Sequence, residues 1–148
     1  MIPDVPTVLT GIVRSAMMDL TSETDSPYRQ FTLQMMSALL MMISQEFDRA
    51  AARLIDENDA LVALFRDAQS AVRDDALRAA LRDAVAAPSP PVLVSALRER
   101  NRPLRDLLIR LHVHVETLDG PAARALDERI WAELAASTRR RHMDLANG

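Results

Sequence analysis

The amino-acid sequence predicts an all-α fold: a single domain, residues 1–148, built as a bundle of about five or six helices with a Met-rich helix at its centre. Three observations carry this. Aromatic residues make up 3% of the chain and there are only three Gly, while Ala, Leu and Arg abound, a balance that favours helix over sheet. Apolar residues recur at spacings of three and four through most of the chain, the period of a helix face. From Leu33 to Ile43 only Gln34 and Ser37 are polar, so one segment is far more apolar than its neighbours.

The elements follow in order. Asp4 can cap a first helix, with Pro6 tolerated in its first turn. Val8, Leu9, Ile12, Val13, Ala16, Met17 and Leu20 give that helix its apolar face. Thr21–Asp25 is a polar break. Ser26 then caps the central helix and Pro27 takes its first position. On a helical projection the large apolar side chains from Phe31 to Phe47 fill roughly 200° of the circumference, whereas a surface helix needs a stripe of only about 100°. Such a rod needs cover on two sides, either both from its own chain or one from a second subunit. It is too short for a membrane span, which takes about 20 apolar residues.

Asn58 and Asp59 are turn or cap residues by type, so the central helix is expected to end near Asp56–Asp59. Leu61, Leu64, Phe65, Ala68 and Val72 mark a third helix. Ala76, Leu77, Ala80, Leu81, Ala84 and Val85 mark a fourth, with Asp74 or Asp75 as cap. The run Ala87–Pro91, APSPP, fits a short helix–helix connection.

Val92–Leu118 contains a heptad, with Val94, Asn101, Leu108 and Val115 on a positions and Leu97, Leu104, Leu111 and Leu118 on d positions. Bare, this reads as a dimeric coiled coil with a register-setting Asn. Pro103 argues against it, because it removes a backbone donor and predicts a kink or restart. Leu93 and Leu107 at g widen the face further, toward a kinked bundle helix. Asp119–Gly120–Pro121 separates this helix from the last. There Ala123, Leu126, Ile130, Leu134 and Ser137 share a face flanked by Trp131, and Arg139–His142 complements the helix dipole. Asp144–Gly148 reads as a frayed tail.

Composition excludes several chemistries. The chain has no Cys, hence no disulfide framework, thiol nucleophile or Cys-based metal site. All 18 basic residues are Arg, which excludes Schiff-base chemistry and a P-loop lysine and hints at a GC-rich bacterial genome. Residues 1–90 carry 8 Arg against 13 acids and residues 91–148 carry 10 Arg against 8 acids. The N-terminal helices are therefore acidic and the C-terminal ones Leu- and Arg-rich, far from the basic footprint of a nucleic-acid binder. MIPDVPTVLTG lacks the layout of a signal peptide, so a cytoplasmic location is expected.

Four constellations are candidates for a site. Met35, Met36, Leu39 and Met42 could line an adaptable apolar surface or cavity, since Met is flexible and polarizable. Glu46, whose angular position falls between Met35 and Leu39, would form its polar end with Arg49 or Arg53. Arg98, Arg102 and Arg105 make a basic stripe able to take an anion. His112 and Glu116, four apart, are weak metal-ligand candidates, although no Glu-x-x-His pattern accompanies them. No catalytic motif is present, and no cofactor is implied. The leading functional expectation is a non-enzymatic interaction or assembly module, homodimeric or paired with another helical protein. Its surface would combine the second apolar side of the central helix with the Leu-rich helix. The second is a binder of a small apolar molecule; the third is a metal-dependent enzyme using His112 and Glu116.

Overall fold

A computed structural model describes residues 5–21 and 27–142. These residues form five helices: α1 (Val5–Thr21), α2 (Pro27–Ala68), α3 (Asp75–Ala86), α4 (Val94–Glu116) and α5 (Pro121–Arg140), with no strand among the described residues. The expected all-α architecture is what the chain adopts. The caps expected at Asp4 and Ser26, most of the Thr21–Asp25 break and the tail Asp144–Gly148 lie outside the described residues.

The turn expected at Asn58–Asp59 is absent. What looked like two helices is one, running 42 residues to Ala68. Asn and Asp weaken helices by offering local hydrogen bonds that compete with the backbone. The Asn58 side chain is instead used at long range: its amide donates to the Leu97 carbonyl at 3.2 Å and its oxygen accepts from Asn101 at 2.9 Å. The competing local bond is thereby removed.

The chain divides into two compact units at Ala50/Ala51. The first holds α1 and the first half of α2. The second, Ala51–His142, contains the large apolar cluster, in which Leu61, Leu64 and Phe65 of α2 meet Leu77 and Leu81 of α3, Leu104 to Val115 of α4, and Leu126 and Ile130 of α5. Within it α4 packs against both α3 and α5.

The α4 heptad faces this core. Leu97, Asn101, Leu104, Leu108, Leu111 and Val115 are all buried against their own chain, so the seam that resembles a zipper is already occupied. Pro103 causes no restart. It is exposed inside a continuous helix, where water can serve the carbonyl one turn earlier that its missing N–H leaves unpaired. Asp74 caps α3, its carboxylate accepting from the Leu77 N–H at 2.7 Å. Gly120, at φ 106°, precedes Pro121 at the start of α5, a backbone conformation only glycine adopts without strain.

The Asn58–Asn101 pair fixes the register of α4 against the C-terminal half of α2. Asn101→Ala removes one donor and leaves the buried Asn58 oxygen unpaired, a loss expected to cost about 1–3 kcal/mol. Urea unfolding of the variant measures it. A midpoint equal to the parent's would show that the pair sets nothing.

Candidate interaction surface

Polar side chains converge at one place in the second unit, around Glu57 of α2. Its carboxylate, with a side chain 3% exposed, accepts from Arg141 at 2.7 and 2.9 Å, from Arg105 at 3.3 Å and from Ser137 at 3.2 Å. Burial pushes this carboxyl up. The Arg141 hydrogen bond and charge, the Arg105 charge and the Ser137 hydroxyl together outweigh burial and hold it below the ordinary carboxylate value. Beside it, Glu133 binds Arg140 through two bonds, at 2.7 and 3.1 Å. The adjoining cavity, lined by Glu57, Leu61, Arg105 and Ser137, has a volume of about 20 Å³. That is room for a water molecule and not for a substrate. A carboxylate so fully engaged is a poor proton acceptor, and the cluster works as a three-helix clamp.

The same clamp engages one member of the predicted basic stripe. Arg98 and Arg102 are exposed, and Arg105, its side chain 43% exposed, reaches Glu57 at 3.3 Å. His112 and Glu116 do share a helix face, yet His112 Nε2 lies 3.0 Å from Asp127 Oδ1 and 3.8 Å from Glu116. The imidazole also packs edge-on against Trp131, with ring centres 5.3 Å apart. This is a hydrogen-bonded histidine between α4 and α5, and among the described residues no group of three or more His, Asp or Glu is arranged to hold a metal. His114 likewise serves the fold, its Nε2 accepting from the Arg73 N–H at 3.3 Å.

In the first unit the Met-rich segment adopts an orientation that the sequence leaves open. Phe31, Met35, Met36, Leu39, Ile43 and Phe47 are all about half exposed or more, as is Tyr28. Ser37, in the polar sector of the projection, is 3% exposed, and Ser44 and Gln45 are half-buried. Leu33, Leu40, Met41 and Met42 are half-buried too. An ordinary amphipathic helix turns its apolar arc inward. Here much of that arc faces out, as a ribbon formed by Phe31, Met35, Leu39, Ile43 and Phe47 at intervals of four. Helix α1 exposes Val5, Val8 and Ile12 as well. Glu46 is half-buried within the ribbon's angular range, Arg53 is half-buried and Arg49 is exposed.

Among the described residues, Phe31, Met35, Met36, Leu39, Ile43 and Phe47 thus present an apolar flank that is about half exposed or more. Met35, Met36 and Leu39 form an open convex face, whereas small apolar ligands are held in concave clefts of about 300–1,000 Å³. Among the described residues a shallow groove of about 390 Å³ lies elsewhere, between Leu77 of α3 and Ile109 and Val113 of α4. The Glu57 clamp was missed by sequence reasoning because its members lie up to 84 residues apart. Among the described residues no helix is long and apolar enough to cross a membrane. No protein-family model, curated protein or solved structure matches this chain.

Proposed function

We propose that this protein is a non-enzymatic assembly module, homodimeric through the outward apolar ribbon of α2 and working in a bacterial cytoplasm. The observation that carries the reading is the exposure of six large apolar side chains between Phe31 and Phe47, with Tyr28 beside them. Half-exposed side chains of this size present about 100 Å² each. Together the seven offer on the order of 700 Å², close to the roughly 800 Å² that one partner contributes to a standard protein interface. Patches of that size on monomers mark interaction sites. Burying such a face on both partners is worth on the order of 40 kcal/mol gross, more than the roughly 4–15 kcal/mol that association costs before side-chain ordering and polar desolvation. The Leu-rich helix drops out of the surface first expected, since its a/d seam is buried in its own core.

Sedimentation velocity across the micromolar range tests this. The parent chain is expected to sediment as a dimer. Leu39→Glu combined with Ile43→Glu should return it to a monomer with unchanged helicity. A parent that stays monomeric at every concentration would refute the reading.

A further inference from the structure

We infer that the outer face of the Glu57 clamp binds a dianionic phosphoryl group, held by Arg102, Arg105 and Arg141. The site lies within the second unit and is independent of the assembly reading. Helices α4 and α5 run antiparallel: His112 meets Asp127, while Arg105 and Ser137 both meet Glu57. One turn nearer the start of α4, Arg102 therefore comes level with the C-terminal end of α5, where Arg141 sits.

Glu57 fixes two of the three cations. Arg105 Nη1 and Arg141 Nη2 lie 3.3 and 2.7 Å from the same carboxylate oxygen, and the Glu57 side chain beneath them is 3% exposed. The two arginine side chains, 43% and 39% exposed, are thus set side by side at the surface. Each donates to Glu57 through one nitrogen only, so among the described residues Nε and the other Nη of each have no acceptor. Arg102 is exposed and makes no hydrogen bond or ion pair with a described residue. Guanidinium forks already fixed in place bind an oxyanion without the full cost of ordering long side chains.

Charge selects the ligand. Three guanidinium groups against one carboxylate leave two positive charges, matching a phosphomonoester, which carries about −1.5 to −2 near neutral pH. A carboxylate or a phosphodiester brings only one negative charge. Neighbouring acids leave this excess in place. Glu133 is bound by Arg140, which also feels Asp56. Glu99 and Asp106 fall about 40–60° beyond Arg102 around α4, on the side away from Arg105.

Calorimetric titration of the full chain with inorganic phosphate, at an ionic strength held constant with sodium chloride, tests the site. Saturable one-site binding is expected. Methyl phosphate should bind about as well, and dimethyl phosphate, a diester with one charge, at least about tenfold more weakly. Arg102→Gln should weaken phosphate binding about tenfold, the effect of losing one charge-assisted hydrogen bond. Its urea midpoint without phosphate should equal the parent's, as for other surface changes. Arg124→Gln, which removes an exposed arginine at the opposite end of α5, should leave binding unchanged. No saturable heat with the parent, or equal weakening by both substitutions, would overturn the site. Diester binding as tight as that of phosphate would overturn the choice of a dianion and point to a nucleic-acid backbone instead.

Discussion

Replacing Phe65 by alanine is expected to destabilise the second unit by about 3–5 kcal/mol, a large share of the stability of an average domain. Phe65 is 0% exposed and lies in the cluster that joins α2, α3, α4 and α5. Removing the ring forfeits its transfer free energy and leaves a cavity that four packed helices can close only in part. Urea titration followed by the fluorescence of Trp131, the single tryptophan, reads this loss as a lower midpoint at an unchanged slope. Phe31 and Phe47 supply the contrast on the same helix. At 61% and 56% exposure, their truncation should leave that midpoint within about 0.5 kcal/mol, as for other surface changes, and should weaken dimerisation instead. A destabilisation by Phe47→Ala as large as that of Phe65→Ala would contradict the division of roles along α2.

Arg141→Ala should produce the second-largest effect, and one that depends on pH. In the parent, Glu57 titrates below 4.5 when folded. Between that folded value and 4.5 the unfolded chain takes up a proton that the folded chain does not. Acid therefore favours unfolding there. The stabilisation is complete above the unfolded value and fades as pH falls through the folded one. Removing Arg141 deletes the largest of the influences that lower this carboxyl, while burial and Arg105 remain. The folded value must rise.

Stripping one partner from a buried charge costs about 3–5 kcal/mol. The Arg141 side chain is 39% exposed, so solvent screens the pair, and Arg105 and Ser137 stay in place. A loss of about 2 kcal/mol at pH 7 is expected, with the acid limb of stability moved to higher pH. Thermal midpoints of parent and variant from pH 3 to 7 check both statements. Parallel curves would mean that Arg141 does not govern the Glu57 carboxyl. Glu57→Gln, which cannot ionise, should flatten the acid limb.

Much of the fold is legible in the chain because helices are written locally. Pro27 at the start of α2, Asp74 as the cap of α3, and Gly120–Pro121 between α4 and α5 each act through their own dihedral angles and their nearest backbone groups. The α4 heptad likewise marks a buried face, since periodicity reports which residues share a side. It does not say what lies against that side. Leu97, Leu104 and Leu111 look the same facing a second copy or their own core, and only the folded chain shows that they face their own core.

Three features needed the tertiary structure for the same reason. Asn58 carries the propensity of a turn residue, but a buried partner 43 residues away outweighs a local preference worth less than about 1 kcal/mol. Arg105 belongs by spacing to an exposed stripe, and it pairs with Glu57 of a different helix. The Phe31–Phe47 rod announces two apolar flanks, yet no local rule says which flank its own chain covers. Composition and period are properties of a contiguous segment. Which faces meet depends on the summed burial of residues far apart in sequence, and only the folded chain performs that sum.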